Sequence, residues 1–357
     1  MKILVAMSGG VDSSVVAHLL KEQGHDLVGV MMKLWVDPLA PPVRRAIPTK
    51  CCSIEHIERA RSVCKTLGIP FYVHNLENEF KERVVDPFIQ DYAEGKTPNP
   101  CIICNRTIKF GALLDLTSSL GCEVLATGHY ARIEKNQDGV IRLLEAADAM
   151  KDQSYYLYAL TQKQLARVMF PLGEMQKSEV YALAKRYRIR VPETYRESQD
   201  LCFFPEREPR AFLRRYIPGM RPGPIKHLDG RVLGEHEGVP LYTIGQRKGL
   251  RIGGLKIPLH VVSKVAETNT IIVAEGTEGM RTDIAMHDVT WISGFAPEDA
   301  SHLAVRIRST GPKLNGSLIK KGGHWGIVLD KGSRGISPGQ AAVLYNGAEI
   351  LGGGTIS

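Results

Sequence analysis

The sequence predicts an α/β protein, built as a doubly wound parallel-sheet domain followed by a small β-rich central domain and a C-terminal β-barrel. Three observations carry this. The apolar run Ile3-Leu4-Val5-Ala6 passes through a glycine-rich turn into Val15-Val16-Ala17-His18-Leu19-Leu20, whose apolar positions recur at helical spacing. Segments of strand and helix character then alternate as far as about residue 200, the pattern of a parallel sheet with ligands at the carboxyl ends of its strands. From about residue 220 glycine and proline become frequent, and turn pairs such as Asp229-Gly230 and Asn346-Gly347 separate short alternating runs. The domains are therefore expected at 1–200, 201–275 and 276–357.

The turn Ala6-Met7-Ser8-Gly9-Gly10-Val11-Asp12-Ser13 comes first in the chain. Adjacent glycines let backbone N–H groups approach an anion, and Ser8, Ser13 and Ser14 add hydroxyls at the positive end of the next helix. The turn has neither the lysine of GxxxxGK[ST] nor the spacing of GxGxxG, so it is neither of the two common nucleotide loops. Asp26 to Met32 reads as a second buried strand, and Asp37 to Pro48 as an exposed loop. Residues 54–67 read as a helix ending at Gly68, with Phe71-Tyr72-Val73 as a third strand. A helix near 78–92, the loop Thr97-Pro98-Asn99-Pro100, a helix from Ile108 to Leu120 and a strand from Glu123 running into Gly128-His129-Tyr130 follow. Met32 and Gly128 thus stand at strand ends, where they suit the walls of an adenine pocket; ordinary core packing suits Met32 equally well. Gly139 marks a hairpin turn, and helices are expected near 161–168 and 177–188, the second strongly basic.

The net charge of +8 points to a polyanionic partner. The excess falls mostly in residues 201–275. Arg306, Arg308, Lys313, Lys320 and Lys321 lie in a stretch without acids, which suits a phosphate-tracking surface about as well as a solvated face. No apolar span approaches membrane length and no signal-peptide pattern opens the chain, so a soluble cytoplasmic protein without a membrane partner is expected. Seven cysteines, an odd count, favour reactive or metal-binding roles over structural disulfides. Cys101 and Cys104 stand at CxxC spacing just ahead of a helix whose N-terminus lowers a thiolate pKa, and Cys202 is a third candidate. A structural zinc site would want a second CxxC pair, which the chain lacks. Cys64 and Cys122 read as buried packing residues and Cys51-Cys52 as structural. A phosphate loop together with thiols suits one chemistry in particular. Exchanging a carbonyl oxygen for sulfur requires making that oxygen a leaving group, which adenylation does, and then delivering sulfur, which a cysteine persulfide does.

SGGVDS is the pyrophosphate-loop (PP-loop) signature of ATP pyrophosphatases. SGGVDSS, Met32-Lys33, TPNPxxxCN with Cys104, ATGHY with Gly128 and His129, KDQSYYLY, SQDLCF with Cys202, YTIGQRKGL and SPGQAAVLYNGAEILGGGTI together resemble the bacterial tRNA-specific 2-thiouridylases from the first strand to the last. The resemblance implies ATP-dependent thiolation at C2 of the wobble uridine in tRNAs for Lys, Glu and Gln. It assigns ATP to Ala6, Met7, Ser8, Gly9, Gly10, Val11, Asp12, Ser13, Met32 and Gly128, with Asp12 helping to place Mg2+ on the phosphates. It makes Cys202 the carrier of a persulfide delivered by a sulfur donor, a cysteine desulfurase or relay protein, and Cys104 the partner nucleophile, implying a disulfide between them during turnover. It places Asn99, Pro100 and Cys101 beside the target base and tRNA against His129, Lys151, Asp152, Gln153, Arg306, Ile307 and Gln340.

One position departs from the better-known members, which carry aspartate where this chain has Cys101. A role for that carboxylate does not transfer. Two chemistries stay open: an iron–sulfur cluster held by Cys101, Cys104 and Cys202 with one open iron for sulfide, or a persulfide route for which Cys104 and Cys202 suffice. Two other classes compete with both. A PP-loop ligase of small molecules would leave the cysteines idle, and a non-catalytic RNA-binding protein on the same fold would not need an intact loop.

Overall fold

The computed structural model describes residues 1–41, 54–190, 201–253 and 257–357. Cys51-Cys52, the end of the loop expected from Asp37 to Pro48, the start of SQDLCF and the expected boundary at 200 lie outside the described residues.

The first domain is built on a parallel sheet. Strands β1 (Lys2–Ala6), β2 (Asp26–Lys33) and β4 (Val124–Ala126) form where β-branched and aliphatic residues run together, as buried strands require, while β3 (Phe71–Asn75) is a more exposed strand at the sheet edge. Helices α1 (Val11–Glu22) and α2 (Ile54–Leu67) and the helical run 77–93 follow the first three strands. A second helical run, 100–119, precedes β4 and passes through a π-helical stretch at Asn105–Ala112. It begins at Pro100, eight residues before the expected start at Ile108, because proline at the first helical position has no N–H to lose and a φ already suited to the helix. Cys101 and Cys104 therefore lie inside this helix and not ahead of it.

Hairpin strands β5 (Arg132–Lys135) and β6 (Ile141–Leu144) flank the turn at Gly139. The segment expected as a helix over 161–168 is one turn, Gln162–Leu165, followed by a two-residue strand β7 (Val168–Met169). Pairing with β4 outweighs the weak local helical pattern and makes β7 the fifth strand of the sheet, in the order β3-β2-β1-β4-β7. Helix α3 (Lys177–Arg186) packs on α1. The sequence reading missed α4 (Arg210–Tyr216), which opens the central region.

The central sheet joins β8 (Gly223–His227), β9 (Val232–His236), β10 (Leu259–Val265) and β11 (Thr270–Glu275) in the order β10-β11-β8-β9. Six strands then close the C-terminal barrel: β12 (Arg281–Trp291), β13 (Leu303–Arg306), β14 (Leu314–Lys321), β15 (His324–Ser333), β16 (Ala341–Asn346) and β17 (Glu349–Ile356). The β12–β17 pairing shuts the ring. The β5–β6 hairpin, first in the chain, extends this barrel sheet: Leu144 pairs with Glu349 and Leu143 with Ile350. The first and last domains are thus joined by backbone hydrogen bonds, and one core containing Leu4, Leu143, Tyr155, Val343 and Ile350 runs through both.

Candidate active site

The order of the parallel sheet reverses between β1 and β4, and the loops leaving these two strands enclose the crevice where such folds bind ligands. The loop after β1 is a compact hydroxyl network. Ser13 Oγ accepts from the Ser8 N–H at 3.1 Å, lies 3.1 Å from Ser8 Oγ and donates to the Gly10 carbonyl at 3.3 Å; Ser14 Oγ donates to the same carbonyl at 2.8 Å. Gly9 has a φ of +69°, and a Cβ there would lie 2.3 Å from the His56 carbonyl oxygen, so only glycine fits. Gly128 follows β4 at the opposite wall, where a Cβ would stand 3.1 Å from the Asp12 Cβ and 3.2 Å from the Ser13 nitrogen. Ala6, Met7, Ser8, Gly9, Gly10, Val11, Asp12, Ser13 and Gly128 are thus brought together.

Asp12 is not a lone carboxylate. Its Oδ1 accepts from Lys177 Nζ at 2.6 Å and from the Tyr130 hydroxyl at 2.9 Å. Lys177 opens α3 with a buried side chain whose ammonium also faces the Tyr130 and Tyr181 rings. The sequence reading passed over Lys177 and Tyr130 as site residues; the local signal was a lysine at the start of a basic helix that buries Val180 and Ala184.

The thiols lie on the other side of Met32. Phe203 and Phe204, which follow Cys202, enter an aromatic core with Phe88 and Phe212; Phe88 and Phe203 meet at 5.2 Å and Phe204 stacks on Phe212 at 4.8 Å. Cys104 is buried in this core and half-buried Cys202 packs against it. Met32 contacts both this core and that of the nucleotide sheet. Asp37 fixes the geometry: its fully buried carboxylate accepts from Arg215 Nε at 2.8 Å and from the Tyr216 hydroxyl at 2.6 Å, while its N–H donates to the Phe203 carbonyl at 3.0 Å. Arg215 also donates to Glu206 at 2.9 Å. Sequence reasoning missed this cluster, whose members are ordinary surface residue types.

Cys101 is half-buried. Asn99, Pro100, Ile102, Ile103 and Arg106 line a cavity of about 350 Å³ that reaches Tyr158 and His287. Among the described residues no three His, Cys, Asp or Glu side chains are grouped to hold a metal ion, so Cys101, Cys104 and Cys202 are not arranged as a cluster cradle. Cys64 and Cys122 are buried, as expected, and burial pushes the Cys64 thiol up to about 12.

The residues expected along the tRNA divide into two groups. Gln340 Nε2 donates to the Thr97 carbonyl at 2.8 Å, and the Thr97 N–H donates to Pro338, so the barrel clamps the loop that leads into Asn99. Arg306 bonds Asp152 at 3.2 Å and Glu145 at 3.3 Å, while Gln153 is tied to Tyr130 by two hydrogen bonds. Lys151 is half-buried beside them. The side chains of the others face inward. The Asp152 carboxyl group is 3% exposed because it caps its own loop through the Ala146 and Ser154 N–H groups. Ile307 lies in the barrel core. His129 is buried between Phe110 and Phe170, its Nδ1 2.7 Å from Thr127 Oγ1 and its Nε2 3.3 Å from Lys109 Nζ. Burial and the Lys109 charge hold its pKa well below 6.5, so the ring is neutral.

Fold and site define a PP-loop enzyme that carries a thiol pair beside its nucleotide crevice. Three family descriptions match in succession: a tRNA methyl transferase HUP domain over residues 1–206, a PRC-barrel domain over 210–275 and an aminomethyltransferase β-barrel domain over 281–356. The tRNA-specific 2-thiouridylase MnmA of Chloroflexus aggregans is 44% identical over 357 residues, with 99% of this chain and 98% of that one covered. That of Geobacter metallireducens is 45% identical over 358 residues, with 99% and 96% covered. The chain belongs to the tRNA-specific 2-thiouridylase family. Among solved structures, the U34-tRNA thiolase NcsA from Methanococcus maripaludis with its 4Fe-4S cluster matches at 22% identity, covering 57% of this chain and 61% of its own, with a TM-score of 0.36.

Proposed function

We propose that this protein thiolates C2 of the wobble uridine in tRNAs for Lys, Glu and Gln, using ATP and a cysteine persulfide. The observation that carries the reading is the packing of Cys104 and Cys202 in one core that Met32 joins to the nucleotide sheet. The Ser8 to Ser13 loop holds the triphosphate, with adenine between Met32 and Gly128. A single carboxylate, Asp12, suits a Mg2+ ion bound mainly through phosphate oxygens. Lys177 draws negative charge toward the same corner.

Uracil O2 attacks the α-phosphorus, pyrophosphate leaves and N3 gives up its proton. The terminal sulfur of the Cys202 persulfide then attacks C2 and expels AMP, which leaves the base joined to Cys202 by a disulfide. The Cys104 thiolate attacks Cys202 Sγ, so a Cys104–Cys202 disulfide forms as the thiocarbonyl departs and N3 regains a proton. The persulfide route calls on Cys104 and Cys202 alone, and among the described residues no three His, Cys, Asp or Glu side chains are grouped to hold a metal ion. Asn99 and Pro100 face the cavity that suits a flipped base, and Lys151, Gln153, Arg306 and Gln340 hold its rim.

The test is direct. Iron-free protein, ATP with Mg2+, a persulfide donor and unmodified tRNA transcript are expected to yield 2-thiouridine and pyrophosphate, and Cys104→Ala or Cys202→Ala to yield none. Thiolation that survives both substitutions overturns the proposal.

A further inference from the structure

The strap Lys96-Thr97-Pro98 leads from the helical run 77–93 into Asn99, and two other domains hold it at consecutive carbonyls. From the barrel, Gln340 Nε2 donates to the Thr97 carbonyl at 2.8 Å and to that of Pro98 at 3.4 Å, and the Thr97 N–H donates to the Pro338 carbonyl at 2.8 Å. Gly339 closes this side: its φ is +89°, and a Cβ there would lie 3.1 Å from the Thr97 carbonyl oxygen. From the central sheet comes Lys264 on β10. Its Nζ donates to the Lys96 carbonyl at 3.4 Å and to the Tyr242 carbonyl at 2.8 Å, so one ammonium bridges the strap and the 242–250 loop. That loop is itself pinned to β10, the Gly245 N–H donating to the Val261 carbonyl at 2.7 Å and the Val261 N–H to that of Gln246 at 3.0 Å.

We propose that Lys264 is a positioning residue for the thiolation reaction: its ammonium locks the strap from the central domain while Gln340 locks it from the barrel, and together they set where Asn99 and Pro100 meet the tRNA. The proposal rests on the tRNA-thiolation reading above and gives the central domain a part in presenting the base. A strap ordered in advance spares tRNA binding the cost of ordering it. The lock also depends on a proton. Among the described residues no carboxylate pairs with Lys264, because the acids beside the strap, Asp91 and Glu94, bond the Lys96 ammonium at 3.3 and 2.6 Å. On the other elements packed against β10, Ile271 stands opposite Lys264 in register, Arg247 and Lys248 are exposed, and Arg334 bears on His260. Burial without a counter-charge brings the Lys264 pKa down to about 8. An ammonium makes stronger hydrogen bonds to carbonyls than a neutral amine does, so the lock slackens as pH rises through that value.

The experiment compares full-length wild type, Lys264→Met and Lys264→Arg, using fluorescence anisotropy with unmodified tRNA transcript at pH 7 and pH 9, isothermal titration with ATP, and thiolation rates at pH 7. Lys264→Met is expected to bind tRNA about tenfold more weakly than wild type at pH 7, with kcat/KM for tRNA falling in step and ATP affinity unchanged. Wild type is expected to lose about threefold in tRNA affinity between pH 7 and pH 9, a loss absent from Lys264→Met and from Lys264→Arg, whose guanidinium stays charged throughout. ATP affinity that falls together with tRNA affinity overturns the proposal, since it marks general destabilisation. So does a wild-type pH dependence that persists in Lys264→Met. Should the methionine variant melt at a lower temperature, the arginine variant decides, and the same loss between pH 7 and pH 9 as in wild type overturns the lock. Wild type that binds tRNA but makes no 2-thiouridine overturns the thiolation reading, while the anisotropy measurements still test the lock by themselves.

Discussion

Asp37 and Arg215 form a buried ion pair between the loop after β2 and helix α4, with two guanidinium nitrogens at 2.8 and 2.5 Å from one carboxylate oxygen. The pair binds the first domain to the central one at the point where Phe203 and Phe204 enter the core, and so sets where Cys202 stands. Arg215→Met leaves a buried carboxylate facing an apolar side chain, which is expected to cost about 3–5 kcal/mol. Urea unfolding measures that loss, and persulfide loading of Cys202 should fall with it. An unchanged midpoint would show that the pair does not hold the domains.

The left-handed backbone at Gly9 and the nearby His56 carbonyl leave no room for a methyl group. Gly9→Ala is therefore expected to weaken ATP binding by about a hundredfold or more, since the loop must move to relieve the clash and its N–H groups leave the phosphates. Isothermal titration with ATP reads the effect, and wild-type affinity in the variant would remove the loop from the site.

Lys177 neutralises Asp12 at 2.6 Å. Lys177→Met leaves that carboxylate repelling the triphosphate and is expected to slow tRNA-dependent pyrophosphate release by about a hundredfold. Asp12→Asn in the same background should not recover the rate if the lysine also meets phosphate, whereas full recovery would limit its role to charge balance.

Gln340 ties the barrel to the Thr97 carbonyl. Gln340→Ala removes about 1 kcal/mol of hydrogen bonding from the loop that leads into Asn99, so the KM for tRNA is expected to rise about fivefold while the KM for ATP stays put. Equal changes in both would point to general destabilisation.

The neutral, buried His129 makes stability depend on pH in a definite direction. Its folded pKa lies below the ordinary 6.5, so above that value neither state binds the proton and the ring adds no slope. Below it the unfolded chain takes up a proton that the folded one refuses, and stability falls by at most about 1.4 kcal/mol per pH unit. His129→Gln should flatten the decline between pH 7.5 and 5.5 relative to wild type in urea unfolding, and an unaltered slope would mean the ring already titrates normally.

By itself the sequence determined what depends on neighbours along the chain: the strand–turn–helix of Ser8 to Ser14, the Cys101–Cys104 spacing, the change to β structure after 220, and the ends of β2 and β4 that carry Met32 and Gly128. Apolar periodicity and turn chemistry are local properties, so they are legible without a fold. Tertiary structure decided the rest. Asp37–Arg215, Asp12–Lys177 and the docking of the β5–β6 hairpin on β17 join residues more than a hundred positions apart, through polar or edge-strand groups that carry no periodic signal. His129, Asp152 and Ile307 turned inward for the same reason, because burial is settled by what packs across from a residue and not by what precedes it.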